Sequence, residues 1–435
     1  MNTFPFALAV FFAAPTIVRA AAAQTATTAP KVPPAATKPA TLPAAEAAFR
    51  AGEAFLKDNK PAEAEGAFRR AVALAPARAD YHDRLGTALS RQNKWADAET
   101  EYREAVRLAS PASIAGFRSN VAFALYNQKK LKEAEAEVRE AIRIGPASAA
   151  MQSNLGTFLL DANKPKEAEA AYREATRLAP NAAAHQNRLG LALERQQKWT
   201  EAQAAYAQAV RLDPSRDFYH YNLGNTLAAQ NKWTGAEAAY RTAYKLDPQD
   251  PDNGWRLGQA LYGQARFAEA EGLFRAALRQ KPGTLNYIVW LGATLVKQST
   301  WPEAETAYRE VVRLAPDRPD TLSRLGTILL RQDKFTDAEP FYRRAVELSP
   351  QNALYRHSLA RVLERQDRWP EAETAYREAV RLDPKNADYR NELGLALRHQ
   401  NKLIEAETVF VEALRLDPRN AAYRANLRQV RAALQ

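Results

Sequence analysis

An all-α fold of eleven stacked helical hairpins is what this sequence predicts, and three observations predict it. The first is a period. A 34-residue pattern recurs eleven times between Ala45 and Asn420, a span of 376 residues that equals eleven times 34 plus a two-residue insertion between the second and third copies. The second is the register of small residues and rings inside each copy. Leu-Gly stands at the seventh and eighth places in eight copies, as in Leu85-Gly86, Leu223-Gly224 and Leu393-Gly394. Alanine holds the twentieth place in all eleven, from Ala64 to Ala406, and the twenty-fourth is aromatic in ten, with Val138 the exception. The third is punctuation: proline holds the thirty-second place in ten copies, with Ser110 the exception and Pro111 one step late.

Taken in chain order, the first 23 residues differ from all that follow. Phe4 to Val18 is a mostly apolar run of 15 residues, followed by Arg19 and by Ala20 to Ala23 ahead of Gln24. An apolar core followed by small residues at the −3 and −1 positions reads as a cleavable signal peptide, and the run is short of the roughly 20 residues a membrane span needs. Residues 24–44 hold five prolines among Ala, Thr and Lys and read as an extended spacer.

Within each copy, apolar residues at places 7, 10 and 11, then 17, 20, 24, 27, 28 and 30, trace one stripe on each of two helices, A and B. Gly224 and Ala236 in the sixth copy are small so that helices approach closely, and Pro248 ends helix B because its ring lacks the N–H that would continue the ladder. One hairpin alone cannot bury its stripe, so neighbouring copies must stack over residues 45–420. Residues 421–435 begin a further helix A, with Tyr423, Leu427, Val430 and Leu434 inward and Arg424, Arg428 and Arg431 outward, and read as a C-terminal capping helix.

The period and its marks resemble the tetratricopeptide (TPR) repeat over 376 of the 435 residues. The resemblance implies a right-handed superhelical solenoid of eleven helix-turn-helix repeats. It also implies that ligands lie along a concave groove lined by helix A, chiefly through places 2, 5, 6, 9, 12 and 13.

Composition excludes more than it assigns. Lys and Arg number 61 against 50 Asp and Glu, and the resulting +11 falls to +8 over residues 44–435 once Arg19, Lys31 and Lys38 are set aside. That excess is thin for so large a surface, and no nucleic-acid partner is expected. With no Cys, disulfides, thiol catalysis, thiolate metal sites and lipid attachment at a lipoprotein cysteine are excluded. His82, His185, His220, His357 and His399 lie in five separate copies, and neither an HExxH, a P-loop nor a dinucleotide-binding glycine pattern is present. We therefore expect no catalytic residue, no metal and no cofactor. Glu99, Glu237, Glu305 and Glu373 precede Arg103, Arg241, Arg309 and Arg377 by four residues, the spacing of solvated ion pairs on an exposed helix face. The aromatic at the seventeenth place, as in Trp95 or Trp369, reads as packing between repeats.

Function is sought where the copies differ. At the groove places, repeats 6 to 8 carry Phe218 and Tyr221, then Trp255 and Tyr262, then Trp290, with Asn222, Asn225, Gln259 and Asn286 beside them. Aromatic bodies with polar tips are what binding surfaces select. A basic set repeats at places 6 and 13 in Arg84/Arg91, Arg188/Arg195 and Arg324/Arg331, extended by Arg361, Arg365 and Arg398, and such rows suit the carboxylates of an acidic peptide. Members of the family that grip a C-terminal carboxylate use Lys and Asn at defined groove positions. Asn154, Asn222 and Asn225 match fragments of that pattern, but the basic partners are missing.

The reading is a non-catalytic protein–protein interaction scaffold of the cell envelope, exported to the periplasm or secreted, that binds a protein or peptide segment in its groove. Two alternatives stand beside it. One is a glycan-handling scaffold in polysaccharide assembly or export, with Trp255, Tyr262 and Trp290 stacking on sugar rings. The other is an accessory subunit of an enzyme complex. Export makes a direct prediction: N-terminal sequencing of the mature protein starts at Gln24 or within about two residues of it, and an intact Met1 on a cytosolic protein refutes it.

Overall fold

The structure, a computed structural model, describes residues 42–435. The expected signal peptide, and the expected linker up to residue 41, lie outside the described residues. Among the described residues there are 23 α-helices and no strand. None of these helices is long and apolar enough to cross a membrane. The first, Leu42–Lys57, begins three residues inside the expected linker. The last, Ala421–Leu434, buries Tyr423, Leu427 and Val430 and leaves Leu434 exposed.

Between these ends each copy of the pattern contributes two helices. Helix B occupies places 17 to 30, as in Trp95–Leu108, Trp301–Leu314 and Leu403–Leu416. It stops two residues short of the proline because a residue before proline is driven out of the helical region, and Asp213 is extended there at φ −145°, ψ 90°. The turn between A and B has a feature that periodicity did not announce. The fifteenth place has a positive φ in all eleven copies, between 56° and 66°. Asn or Asp fills it in seven of them, residues that tolerate the left-handed region; Lys129, Gln197, Ala265 and Ser299 adopt it against the preference of their side chains.

The chain divides into two compact units, one ending at Gln230 and one beginning at Asn231. The first holds the hairpins from Leu42–Lys57 with Pro61–Leu74 through Ala183–Glu194 with Trp199–Leu212, then the helix Asp217–Ala229. Inside its hairpins the eighth-place glycine lies flat against the twenty-fourth-place ring. A Cβ built on Gly52, Gly86, Gly156 or Gly190 would come within 2.5–2.7 Å of Phe68, Tyr102, Tyr172 or Tyr206. The third copy, the one without a ring, has Ala122 at the eighth place and Val138 at the twenty-fourth, both fully buried. There the larger small residue is matched by a smaller partner, whereas the tenth copy sets Ala360 and Tyr376 at the same two places, both fully buried.

The second unit holds the helix Trp233–Leu246, the hairpins from Pro251–Gly263 with Phe267–Gln280 through Ala387–His399 with Leu403–Leu416, and the cap. The same contact recurs between Gly258, Gly292, Gly326 and Gly394 and their rings, where an added Cβ would approach to 2.6–2.8 Å. The seventeenth-place aromatics do reach the next repeat. His399 stacks on Trp369 at 3.7 Å, Arg365 covers Phe335 at 4.5 Å, and a Cβ on Gly263 would meet Trp233 at 2.5 Å.

One expectation is corrected here. The helix-B glutamates do pair with their own arginines, Glu99 with Arg103 and Glu305 with Arg309 at 2.8 Å. They are not simply solvated, however, because their side chains are only 14% and 12% exposed. Each is clamped by the following repeat. Glu305 accepts Gln332 Nε2 at 2.9 Å and Lys334 Nζ at 2.7 Å, and Glu99 accepts Gln128 at 2.8 Å and Lys130 at 3.1 Å. Glu65, Glu169 and Glu373 repeat the arrangement with Gln92/Lys94, Gln196/Lys198 and Gln400/Lys402. The same glutamine also donates to the seventeenth-place carbonyl, as Gln332 does to Trp301 O at 3.5 Å. Burial alone would raise the Glu305 carboxyl, but Lys334, Arg309 and Gln332 outweigh it and hold the group at about 2.

The sign of the resulting pH dependence follows. Unfolded, such a glutamate takes its proton near 4.5, whereas folded it holds out to about 2. The clamp's contribution is therefore complete above pH 4.5 and is lost as pH falls from 4.5 toward 2. Thermal melting of the Glu305→Gln variant is expected to fall less steeply over that window than melting of the parent chain. Equal slopes in the two proteins would refute the clamp.

Candidate binding face

The places assigned to ligand contact line the helix-A face, and the structure shows what each already touches. In the first unit a polar ladder crosses that face. The sixth-place side chain of one repeat bonds the fifth-place side chain of the repeat before it. Asn120 Nδ2 donates to Asp83 Oδ1 at 2.7 Å, Arg188 to Ser153 Oγ at 2.5 Å, and Asn222 Nδ2 to Asn187 Oδ1 at 2.8 Å. Asn222 is thus engaged in holding repeats together. Burial raises the Asp83 carboxyl to about 6 despite the bond from Asn120. Phe218 turns sideways onto the Tyr219 ring, 4.3 Å away, and packs on the buried cluster of Ala183, Ala209 and Tyr219. Tyr221 and Asn225 are half-buried on the same helix.

In the second unit Trp255 and Tyr262 have separate surroundings. Trp255 is only 6% exposed, 5.5 Å from the Tyr287 ring and covered by the Arg256 guanidinium at 4.6 Å. Its fifth-place position points it at the following helix A, where the ladder would run, and a large ring there is core. No sugar or peptide stacks on a ring so covered, which removes it from both the peptide and the glycan readings. Tyr262 instead meets Trp290 of the next repeat edge-on, with centroids 5.3 Å apart and planes at 87°, and Trp290 backs onto Phe274 at 6.2 Å. Both rings are half-buried, with Asn286 exposed on the helix that carries Trp290. Gln259 accepts from Arg256 at 3.0 Å.

The basic row separates into two kinds. Arg84 lies 3.4 Å from Glu53, Arg91 donates to Leu56 O at 2.7 Å, Arg365 pairs with Asp333 at 3.1 Å, and Arg398 donates to Gln429 at 2.5 Å. Arg331 and Arg361 are exposed and Arg324 is half-buried, and none of these three forms an ion pair among the described residues. Arg324 lowers the Tyr308 phenol against the rise that burial imposes, Arg331 and Arg361 do the same at the Tyr342 phenol, and Arg361 also helps to keep the Glu392 carboxyl ionised. Of the acids on this face, Glu364 accepts from Tyr376 at 2.6 Å and Glu392 is bound by His357. Burial works against the Glu392 charge, yet His357 keeps its carboxyl below the usual range. The histidines serve the frame one by one: His82 bridges Glu101 and Pro76 O at 2.6 and 3.0 Å, and His220 reaches Pro214 O at 3.0 Å.

The ladder was missed from sequence, although its signal was there in matched polar residues 35 apart, such as Asn187 with Asn222 and Asn391 with Asn426. The core assignment of Trp255 yields a prediction. Trp255→Ala is expected to destabilise the second unit by about 3–5 kcal/mol, whereas Tyr262→Ala costs clearly less; the difference is read from denaturant unfolding. Equal losses would return Trp255 to the surface.

Comparison with known proteins places the repeat. One model of the tetratricopeptide repeat matches residues 84–149, 154–217, 189–251, 221–284 and 357–421, and a second matches residues 317–385. No curated protein matches the chain significantly. Among solved structures the chain is similar to the APC/C hetero-tetramer Cut9-Hcn1, at 13% identity over 89% of this chain and 96% of that one, TM-score 0.40. It is also similar to yeast Tom70, at 17% identity over 90% and 96%, TM-score 0.35. A third is MamA of Desulfovibrio magneticus RS-1, at 19% identity over 40% of this chain and 97% of that one, TM-score 0.38.

Proposed function

The chain belongs to the tetratricopeptide-repeat family, a frame for protein–protein interaction, and we propose that it is a non-catalytic scaffold of the cell envelope. On this reading it is exported by the signal peptide read in Phe4–Val18 and holds a segment of a protein partner on the helix-A face of its second unit. The observation that carries the reading is a contrast between two faces. Helix B pairs many of its charged residues within the chain, as in Arg343 with Glu339 at 2.7 Å and Arg381 with Glu378 at 2.7 Å. The helix-A face presents the half-exposed Tyr262–Trp290 pair and arginines without carboxylate partners. Amphipathic rings beside uncommitted guanidinium groups are the composition that interface hot spots favour.

The test places a photo-crosslinking residue at position 286, on the helix-A face, or at position 374, on the outer face of helix B, in the native envelope. We expect a partner captured from 286 and not from 374. The purified partner's affinity is then expected to fall by about 2 kcal/mol or more in Tyr262→Ala, with melting little changed. Capture only from 374, or unchanged affinity in Tyr262→Ala, would refute this placing of the site.

A further inference from the structure

We propose that the outer side of the eleventh helix B, Leu403–Leu416, docks together with the cap on an anionic phospholipid surface. This goes beyond the reading above and makes no use of the helix-A face. The first ground is a departure from the repeat. Place 18 is Ala, Lys, Thr or Pro in ten copies and Ile404 in the eleventh; place 25 is Arg in nine copies and Val411 in the eleventh. In the fifth copy, where place 25 is Ala207, the clamped glutamate is missing too and Gln203 stands in its stead. In the eleventh copy the glutamate remains as Glu407, so the frame supplies no reason for the valine. Ile404 is 75% exposed, more than any other large apolar side chain among the described residues, and Val411 is 39% exposed. Ile404, Thr408, Val411 and Arg415 follow one another at four, three and four residues, which is one face of a helix.

The second ground is a row of arginines fixed beside that face. The cap carries Arg424, Arg428 and Arg431 at spacings of four and three, and residues 421–435 contain no Asp or Glu. Glu407 stands three residues after Ile404 and four before Val411, and Arg431 binds it at 2.7 Å. That bond sets the cap's arginine row along the border of the aliphatic pair. Arg424 donates to Pro418 O at 2.8 Å, which leaves its charge uncancelled. The other acids nearby are already engaged. Glu405 pairs with Arg377, Glu412 pairs with Arg390 at 3.1 Å, and Asp417 accepts the Arg419 backbone N–H and Asn420 Nδ2 at 3.3 Å. Arg415, Arg424 and Arg428 are exposed and form no ion pair among the described residues.

Exposed aliphatic side chains bordered by uncancelled guanidinium groups match a bilayer interface, where headgroup phosphates lie in a plane just above the first acyl carbons. Other occupants fit less well. A second copy docked face to face about a two-fold axis sets these arginines against themselves. Nucleic acid supplies phosphates but no apolar layer for Ile404 and Val411 to enter.

The probe is a set of phosphatidylcholine vesicles, with or without phosphatidylglycerol, titrated into the full chain. We expect at least about tenfold tighter binding when phosphatidylglycerol is present, weakening steeply between about 50 and about 300 mM salt. The pair Ile404→Ser with Val411→Ser is expected to lose roughly tenfold or more in affinity. Arg415→Gln, Arg424→Gln and Arg428→Gln together are expected to lose about as much, along with most of the salt dependence. Leu354→Ser, at a leucine 51% exposed on the tenth helix A, is expected to lose nothing. Melting is expected to stay unchanged throughout; should the serine pair loosen the cap, the arginine variant, altered only at exposed side chains, decides alone. Equal binding of the two kinds of vesicle overturns the proposal, as does equal binding by every variant, the result that an apolar segment such as Phe4–Val18 produces. A soluble glutamate-rich peptide bound through the same arginines, with vesicles left unbound, overturns it in favour of an acidic protein. A dimer that depends on Ile404 and Val411, again without vesicle binding, overturns it in favour of a second copy. Capture of a partner at position 286 bears on none of these results.

Discussion

A ring laid flat against a bare stretch of helix backbone is the contact on which everything else in this protein depends. At Gly86, Gly156, Gly326 and Gly394 even one carbon atom more would come within 2.6–2.7 Å of the facing ring. That closeness sets the separation of helices A and B inside a hairpin. It thereby sets where the helix-A face stands relative to the buried stripe. Interiors are packed too densely to absorb an extra methyl without displacement. Tyr172, Tyr206 and Tyr342, buried to within about one per cent, show how little slack the contact has. The third copy shows the same constraint from the other side, with Ala122 accompanied by Val138.

Stacking the hairpins is a separate problem, and polar groups share in solving it. A glutamate one residue beyond the invariant alanine accepts an arginine from its own helix and a glutamine and a lysine from the next repeat. An isolated surface ion pair contributes little. A carboxylate covered on three sides by donors is a different object, because each donor is held by a separate element and the group is largely removed from water. That Glu65 and Glu305 are both held near 2 reflects this enclosure. The ladder on the helix-A face ties repeats from the opposite side, through Asn187 with Asn222 and Asn391 with Asn426.

These two networks explain which groove candidates remain available to a partner. Asn222 and Arg365 looked free in sequence because their partners lie about a repeat-length away, in Asn187 and Asp333. Phe218 and Trp255 looked like exposed rings because helical spacing assigns them to the helix-A face; spacing does not say how far a large side chain bends toward the neighbouring repeat. What survives is smaller than the predicted set: Tyr262 with Trp290, and Arg324 with Arg331 and Arg361. Each of these was within the sequence-predicted set.

Determined by the sequence alone were the helical class, the number of hairpins, the proline stop of helix B and the family, since each follows from local rules repeated in register. Proline stops helix B, the apolar stripes define the faces, and glycine opposite a ring leaves one way for two helices to meet. Only the tertiary structure decided which polar and aromatic side chains are consumed in joining repeats. That depends on contacts between residues 27 to 35 apart, such as Gln332 with Glu305 and Arg188 with Ser153. It also decided the left-handed turn at the fifteenth place, which Lys129 and Ala265 adopt against their own preference. Packing of the two flanking helices overrides the one or two kcal/mol that a single residue resists with.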